Sequence, residues 1–189
     1  MPDPAMDAAA LPAAPRRVGL RFLLSHPAHF IALGAGSGLS PVAPGTAGTL
    51  WAWAMFVLLD RWLDPLGWAA LLAGGTLVGW WACTVAARDS GIADPGFVVW
   101  DEVIAFWLVL WVLTPIGWGL QIIAFAVFRY FDAAKPGPVR WADQRFKGGG
   151  WRGGWGILFD DFVAAVCTLF VIAVGVMLAR LIHGTGGLA

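Results

Sequence analysis

Long apolar stretches separated by short polar segments dominate this chain. A helix that crosses the core of a bilayer needs about 20 apolar residues, with about 17–25 as the working range. Five stretches approach or reach that length, and they are residues 46–63, 67–87, 97–113, 116–131 and 158–182. The third and fourth are short and are separated by a Thr-Pro step. The pattern therefore predicts five helices, of which these two either cross the membrane or form a tight re-entrant hairpin.

The N-terminal region has a different character. Residues 1–17 are rich in Ala, Pro and Asp and predict a disordered tail. They contain no apolar core of about 7–15 residues, so no cleaved signal peptide is predicted. Residues 18–33 are moderately apolar but are interrupted by Pro27, which favours a helix lying in the membrane interface. His26 and His29 in this segment are expected at the surface. Residues 18–189 then form one membrane-embedded domain.

Composition strengthens the membrane interpretation. Hydrophobic residues make up 59% of the chain and charged residues 13%, whereas soluble domains average about 25% charged residues. The mean hydropathy is +0.74. We therefore predict an all-α polytopic membrane protein with about four to five transmembrane or re-entrant helices. The net charge of zero argues against a nucleic-acid partner. Cys83 and Cys167 lie inside apolar stretches without metal-ligand spacing, which indicates packing residues rather than a disulfide or zinc site.

Basic residues predict the orientation, because cytoplasmic loops of membrane proteins carry an excess of Lys and Arg. With the N-terminus in the cytoplasm, ten basic residues lie inside and two, Arg61 and Arg180, lie outside. The ten are Arg16, Arg17, Arg21, Arg88, Arg129, Lys135, Arg140, Arg145, Lys147 and Arg152. This topology brings the segments 34–49, 88–102 and 129–161 to the cytoplasmic face.

Acidic residues cluster on that face, where apolar stretches begin or end. Asp101 and Glu102 stand in "FVVWDEVIAFW", Asp132 in "VFRYFDAAKP", and Asp160 and Asp161 in "WGILFDDFVAA". A charged group near the bilayer centre costs roughly 2.5–3.5 kcal/mol on insertion scales, so these carboxylates need compensation. The helix dipole stabilises an acid in a first helical turn by about 0.3–1 kcal/mol. That effect is an adequate reason for one Asp, but a weaker one for two adjacent pairs and a further Asp.

A divalent metal site is the functional interpretation of the same carboxylates. Hard oxygen ligands suit Mg²⁺, which proteins hold through a few carboxylates together with water and substrate phosphate. The candidate ligands are Asp101, Glu102, Asp132, Asp160 and Asp161. Arg129, Lys135 and Arg140 surround Asp132 and suit a phosphate ligand. If the helix continues to Lys135, this residue shares a face with Asp132, and a salt bridge between them is the alternative. Asp143 is either a further ligand or a salt-bridge partner.

The uncharged loop "GSGLSPVAPGTAGT" at 36–49 precedes the first predicted span on the same face. Exposed N–H groups at a helix start favour an anion, and the hydroxyl groups of the loop add donors. The candidate phosphate-binding residues are Gly36, Ser37, Gly38, Ser40, Gly45, Thr46 and Thr49. The loop lacks the Gly-Lys-Ser/Thr ending of a P-loop and no strand precedes it, so a simple turn is the alternative.

The sequence lacks the residue patterns that phosphatases with a cysteine, aspartate or histidine nucleophile require. A cysteine-based phosphatase needs five residues between Cys and Arg, but four separate Cys83 from Arg88. The chain has no Asp-x-Asp pair for the usual aspartyl-phosphate scheme, and its three polar cytoplasmic segments contain no His. Water activated by a metal ion is therefore the simplest nucleophile.

Four segments of the chain together resemble, in order, the motifs of the phosphatidylglycerophosphatase A family of bacterial membrane lipid phosphatases. They are the loop at 36–49, "VVWDEVIA" at 98–105, "FRYFDAAKPGPVRWAD" at 128–143 and "GGWGILFDDFVAA" at 153–165. Ala105 and Ala165 stand where Gly is usual in that family. The segment 148–154 is longer and richer in Gly than the family pattern. No charged position is affected by these differences.

The resemblance implies Mg²⁺-dependent hydrolysis of phosphatidylglycerophosphate to phosphatidylglycerol and phosphate, for phospholipid synthesis at the bacterial inner membrane. The five candidate carboxylates would then hold Mg²⁺ and orient water. Arg129, Lys135 and Arg140 would neutralise phosphate charge as the P–O bond breaks. The loop at 36–49 would bind the phosphate oxygens.

Two other functional classes compete with this interpretation. A divalent cation channel or transporter would line a pore near the bilayer midplane with carboxylates, whereas the carboxylates of this chain stand at the ends of spans. An enzyme that transfers a phosphoalcohol between lipids would also use Mg²⁺ and clustered Asp. Its usual spaced pattern of Asp-Gly, Ala-Arg and two further Asp is absent from the sequence.

Overall fold

The computed structural model describes residues 18–184, and this part of the chain contains helices and no β-strand. Two short helices, α1 (Leu20–Ser25) and α2 (Pro27–Ala32), are followed by a 3₁₀ helix at Gly34–Leu39. The remaining helices are α3 (Pro44–Leu59), α4 (Pro65–Ser90), α5 (Trp100–Leu113), α6 (Trp118–Ala134), α7 (Pro138–Arg145) and α8 (Gly150–Gly184). The predicted all-α class is confirmed. The tail predicted for residues 1–17 lies outside the described residues.

Each of the five predicted apolar segments is a helix, although the boundaries differ. The largest difference is in α8, which begins at Gly150 rather than at residue 158, so the Gly-rich segment enters the helix. Gly154 explains why this part of the helix can pack, because a Cβ atom there would collide with Thr84 of α4. Among the described residues, two helices have both the length and the apolar composition to cross a membrane. They are α4, with 26 residues, and α8 over Gly150–Ile182, with 33 residues.

Helix α5 forms the centre of the bundle. It packs against α3, α4, α6 and α8, and Val103, Ile104, Ala105 and Phe106 are inaccessible to solvent. Its 14 residues correspond to about 21 Å at about 1.5 Å per residue, which is shorter than the hydrocarbon core of about 30 Å. Because its neighbours cover it, α5 does not have to match the bilayer by its own length.

Tryptophan side chains tie the helices to one another. An indole buried in an apolar bundle has one N–H donor, which needs an acceptor. Trp107 of α5 donates to the carbonyl of Ala52 in α3 over 2.8 Å. Trp53 of α3 donates to Gln121 of α6 over 2.6 Å. These bonds fix the rotation of α3 between α5 and α6 in addition to the apolar packing.

Helices α4 and α5 approach closely through two glycines of α4. Gly75 and Gly79 are four residues apart and therefore lie on one face, in the small-x-x-x-small arrangement that brings membrane helices together. A Cβ atom on Gly79 would collide with the indole of Trp100 in α5. The same indole donates to the carbonyl of Gly75 over 2.9 Å. The first turn of α5 is thereby held against α4.

The N-terminal helices pack on α4 through a buried histidine, so the prediction that His29 lies at the surface is wrong. The exposed fraction of His29 is 3%. Its Nε2 atom lies 3.0 Å from Oδ2 of Asp89, and its Nδ1 atom lies 2.9 Å from the carbonyl oxygen of Phe22. The local pattern could not reveal this pair, because Asp89 is 60 residues away in the chain. The helix break at Pro27 is present, since α2 begins there.

We predict that Gly79→Ala destabilises the protein by about 1–3 kcal/mol, the usual cost of overpacking a close contact. The matched control is Gly74→Ala in the same helix, where a Cβ atom meets nothing within 4 Å. That variant should lose no stability, because Ala favours helix over Gly. Unfolding of both variants in detergent, followed by circular dichroism, provides the measurement. Equal stability of the two variants would contradict the proposed close packing of α4 and α5.

Candidate active site

The predicted carboxylates come from three helices and meet at one end of the bundle. Asp101 and Glu102 lie in the first turn of α5, and Asp132 lies near the end of α6. Asp160 and Asp161 follow the first three turns of α8, which begins at Gly150. All except the half-buried Asp101 are buried. The three helices reach one another because α5 and α6 both pack against α8. We call these five residues the carboxylate cluster.

Arg129 compensates one part of the carboxylate cluster. Its guanidinium forms an ion pair with Asp132, three residues later in α6. The same Nη1 atom lies 3.6 Å from Oε1 of Glu102 in α5 and 3.4 Å from Oγ1 of Thr49 in α3. One side chain therefore connects α3, α5 and α6 at the end where the acids gather.

Lys135 compensates the charge of another part of the carboxylate cluster. Its partners differ from Asp132, the partner considered in the sequence analysis. Helix α6 ends at Ala134, and Lys135 adopts a left-handed backbone conformation with a φ of 43°. The chain therefore turns, and Lys135 does not continue the helical face of Asp132. Its Nζ atom instead donates to Oδ2 of Asp160 over 2.5 Å and to Oδ1 of Asp143 over 2.6 Å. The Asp132–Lys135 salt bridge is thus replaced by the Asp132–Arg129 pair.

Asp143 is a salt-bridge partner, which was one of its two predicted roles. Its Oδ2 atom lies 2.9 Å from Nζ of Lys147, while its Oδ1 atom accepts from Lys135. Partial burial raises the pKa of Asp143, but the hydrogen bonds from the two lysines outweigh it and hold the pKa below its usual range. Burial likewise lowers the pKa of Lys135, but hydrogen bonds to Asp143 and Asp160 raise it above the usual range. Both side chains are therefore charged at neutral pH.

Three carboxylates of the cluster fit a metal ion. One oxygen from each of Asp101, Glu102 and Asp161 can be chosen so that all lie within 4.8 Å of one another. Two oxygens bound to a single Mg²⁺ at about 2.1 Å are at most about 4.2 Å apart, so this spacing is close to that of shared ligands. Oδ1 of Asp101, Oε2 of Glu102 and Oδ2 of Asp161 are buried without a hydrogen-bond partner. Buried anionic oxygens normally have a partner, and a cation would supply it.

The start of α3 adjoins this centre. A Cβ atom on Gly45 would collide with Oε1 of Glu102 and lie 3.1 Å from Nη2 of Arg129. Thr49 is buried and donates to the carbonyl of Gly45 over 2.8 Å. Ala43 at the helix start offers no side-chain cap, so first-turn N–H groups remain available to an anion. Gly45 and Thr49 are therefore brought to the site, with Thr46 half-buried in the same turn.

The earlier part of the predicted phosphate loop makes other contacts. Ser37 donates to the carbonyl of Gly34 over 2.9 Å, and Ser40 donates to the carbonyl of Val42 over 2.8 Å. A Cβ atom on Gly38 would collide with the carbonyl oxygen of Phe97, and one on Gly36 would contact Leu23. The hydroxyl groups of this half of the loop therefore bond to carbonyls within or beside it, and its backbone packs against the segment before α5.

For two residues, Arg140 and Asp94, the sequence did not predict their position relative to the site. Arg140 lies exposed on α7 and, among the described residues, makes no ion pair, unlike Arg129 and Lys135. Asp94 was not a candidate, yet it lines a cavity together with Asp143 and Asp160. The one available signal was its position in the polar segment 88–102 on the predicted cytoplasmic face.

The fold and the site define a helical protein with membrane-length helices and a charged centre, at one end of the bundle, that is suited to phosphate and metal ligands. A family model described as phosphatidylglycerophosphatase A matches residues 30–176. The chain belongs to the phosphatidylglycerophosphatase A family.

Two individual relatives carry the name of this family, and a third carries the name of another lipid phosphatase. The chain is 37% identical over 155 residues to phosphatidylglycerophosphatase A of Escherichia coli, covering 80% of this chain and 85% of the relative. It is 36% identical over 149 residues to the protein of that name in Haemophilus influenzae, covering 79% and 88%. A Bacteroides thetaiotaomicron protein, provisionally named as a phosphatidylinositol-3-phosphatase, is 39% identical over 150 residues, covering 76% and 90%. No solved structure matches this chain.

We predict that Arg129→Gln destabilises the protein by about 3 kcal/mol or more, because it leaves buried carboxylates without their cation. The matched control is Arg140→Gln on the exposed face of α7, which should change the free energy of unfolding by less than about 0.5 kcal/mol. Denaturant unfolding of both variants in detergent gives the comparison. If Arg129→Gln were as stable as the control, the ion pairs with Glu102 and Asp132 would not contribute to folding.

Proposed function

We propose that this chain hydrolyses phosphatidylglycerophosphate to phosphatidylglycerol and inorganic phosphate in phospholipid synthesis, and that the carboxylate cluster with its two cations is the active site. Membership of the family and the names of the relatives from Escherichia coli and Haemophilus influenzae supply the substrate. The structural observation that carries the site is the group of unpartnered buried oxygens beside Arg129. Such a site combines positive groups for a phosphate with negative groups for a metal ion.

Asp101, Glu102 and Asp161 would hold Mg²⁺ in this proposal. When bound, Mg²⁺ supplies positive charge to the phosphoryl oxygens and makes water a better nucleophile at neutral pH. Asp132 and Asp160, which were also predicted as ligands, have ion-pair partners and hold Arg129 and Lys135 in place. In this proposal Asp101, Glu102 and Asp161 would face the metal ion, Asp132 and Asp160 position cations, and Glu102 contributes to both through its ion pair with Arg129.

The cations and the start of α3 would bind the phosphate. Nε of Arg129 is buried without an acceptor, so it has a donor available for a phosphoryl oxygen. The first turn of α3 adds N–H groups, and Gly45 permits the approach because it lacks a side chain. Positive groups fixed in this way stabilise the negative charge that develops on the phosphoryl oxygens. The reaction breaks the bond between phosphorus and the glycerol oxygen, and water supplies the hydroxyl to phosphorus and the proton to that oxygen.

We also propose that α3, α4, α5, α6 and α8 all cross a bacterial inner membrane, with the carboxylate cluster on the cytoplasmic side. The excess of basic residues at that end supports this orientation. Exposed apolar side chains on the outer faces of the helices, such as Leu77, Ile122 and Phe170, support contact with lipid. The turns at the opposite end hold Asp60, Arg61 and Asp64 but no acidic cluster.

The metal assignment predicts that Asp101→Asn and Asp161→Asn retain less than about a tenth of the wild-type rate, a barrier increase above about 1.4 kcal/mol. Asn has nearly the same size as Asp but lacks the charge that Mg²⁺ requires. Phosphate release from lipid by purified protein, with Mg²⁺ or with excess chelator, measures activity. Titration with Mn²⁺, followed by electron paramagnetic resonance, measures metal binding independently.

Asp64→Asn is the matched control for these variants. Asp64 caps α4 at the opposite end of the bundle by accepting from the N–H of Gly67 over 2.7 Å, and Asn caps a helix as well as Asp. Its activity and its Mn²⁺ binding should equal those of the wild type. Full turnover after removal of metal, or unchanged Mn²⁺ affinity in the cluster variants, would exclude the metal assignment. Faster hydrolysis of phosphatidic acid or a phosphoinositide than of phosphatidylglycerophosphate would exclude the proposed substrate.

The topology predicts opposite labelling of two exposed positions. In a background with Cys83→Ala and Cys167→Ala, Gln144→Cys on α7 should react with a membrane-impermeant thiol reagent only from the cytoplasmic side. Trp62→Cys, in the turn between α3 and α4, should react only from the opposite side. Spheroplasts and inverted membrane vesicles give the two accessibilities. Labelling of both positions from the same side would contradict the proposed crossing of α4, α5 and α6, which are the helices between the two positions.

A further inference from the structure

A small cavity lies beside the carboxylate cluster and has a volume of about 80 Å³. Its charged lining residues are Asp94, Asp143, Lys147 and Asp160, and Phe146 and Ile157 form apolar walls. This space holds about six groups the size of a water molecule, which is roughly the size of a glycerol unit. We call it the headgroup cavity.

The headgroup cavity and the carboxylate cluster share a side chain. Asp160 lines the cavity, and the next residue, Asp161, supplies one of the three oxygens that fit a metal ion. Lys135 reinforces this boundary, because it binds both Asp160 and Asp143. A substrate whose terminal phosphate lies at the cluster would therefore place the atoms next to that phosphate at or near this cavity.

The chemistry of the lining favours hydroxyl groups over a second anion. Asp143 has both oxygens engaged by lysines. Asp94 is exposed, and its carboxylate accepts no hydrogen bond from another described side chain or backbone group. A phosphate group here would face the carboxylates of Asp94, Asp143 and Asp160 with the lysines already paired. A hydroxyl group can donate to Asp94, while the carbon chain of the same ligand contacts Phe146 and Ile157.

The depth of the cavity depends on close backbone packing. A Cβ atom on Gly156 would lie 2.7 Å from the carbonyl oxygen of Phe146, and one on Gly153 would collide with the carbonyl oxygen of Gly148. The segment after α7 therefore lies flat on the first turns of α8. This packing holds Phe146 and Lys147 over the cavity and keeps Asp143 in reach of Lys135.

We propose that the headgroup cavity binds the hydroxyl-bearing glycerol unit that links the two phosphates of the lipid substrate, and that Asp94 accepts a hydrogen bond from its free hydroxyl. This inference rests on the proposed function of the carboxylate cluster. It adds a recognition element for the leaving group, so that lipid phosphates with a polyol between the phosphates are distinguished from those without one.

The test compares phosphatidylglycerophosphate with an analogue in which propane-1,3-diol replaces the glycerol between the phosphates, so that only the free hydroxyl is missing. Wild-type protein should show a kcat/KM about tenfold higher for the natural lipid, because a hydrogen bond to a charged group contributes on that order. Asp94→Ala should lower kcat/KM for the natural lipid about tenfold, mainly through KM, and should change the value for the analogue less than about twofold. Asp94→Asn keeps an acceptor oxygen, so its kcat/KM for the natural lipid should lie between the values of the wild type and of Asp94→Ala.

Gly96→Ala is the control in the same segment, because a Cβ atom at that position meets nothing within 4 Å. It should hydrolyse both lipids like the wild type. Equal kcat/KM of the wild type for the two lipids, or an equal loss for both in Asp94→Ala, would overturn the inference and leave the proposed function intact. Absence of hydrolysis of either lipid by the wild type would instead reject the proposed function. Unfolding temperatures of all variants in detergent would separate these outcomes from misfolding.

Discussion

Compensation of the charge in the buried carboxylate cluster is the constraint on which the rest of the structure depends. Five carboxylates meet at the end of α5, α6 and α8, and Arg129 and Lys135 are the cations paired with them. Coulomb repulsion between like charges at about 4 Å amounts to about 4 kcal/mol at an intermediate effective dielectric constant, so an uncompensated excess would drive these helix ends apart. The three ion pairs that these two cations form stabilise part of this charge. The oxygens that remain without partners belong to Asp101, Glu102 and Asp161, and a bound cation would give these carboxylates the partners that they lack.

The surrounding packing is consistent with holding these groups at fixed distances. The first turn of α5 is positioned by Trp100, which lies against Gly79 and donates to the carbonyl of Gly75. The start of α3 is positioned by the hydrogen bond from Trp107 to Ala52 farther along the helix. Gly45 then reaches Glu102 and Arg129 because it has no side chain. Rigid helices, rather than loops, therefore carry most of the charged groups, which suits a site whose electrostatic effect depends on preorganisation.

The sequence predicted those features that depend on local pattern. The lengths of the apolar stretches indicated the helices. The acids beside those stretches indicated the cluster, because a carboxylate next to an apolar segment is costly unless a partner compensates its charge. Choices between distant partners were not predictable. Lys135 binds Asp160 rather than Asp132 because α6 ends one residue earlier, and His29 is buried because Asp89 happens to face it in the folded chain. Ser37 and Ser40 looked like phosphate donors, yet their hydroxyls are used by nearby carbonyls. Arg129 and Arg140 belong to the same motif, but Arg129 lies on α6 and pairs with the cluster, whereas Arg140 lies on the exposed face of α7.

The length of α8 relates the site to the membrane. The helix has 35 residues, or about 52 Å at about 1.5 Å per residue, which exceeds the hydrocarbon core of about 30 Å. Asp160 stands ten residues after Gly150, or about 15 Å along the axis. The 24 residues that follow Asp160, up to Gly184, correspond to about 36 Å, enough to cross the core. If α8 crosses as proposed, the acids lie at the boundary between headgroups and acyl chains, and the exposed Trp151 of its first turn lies in the headgroup layer, where indoles are favoured. A lipid could then present its terminal phosphate to the cluster while its acyl chains stay in the bilayer, so that recognition falls to the few atoms between its two phosphates.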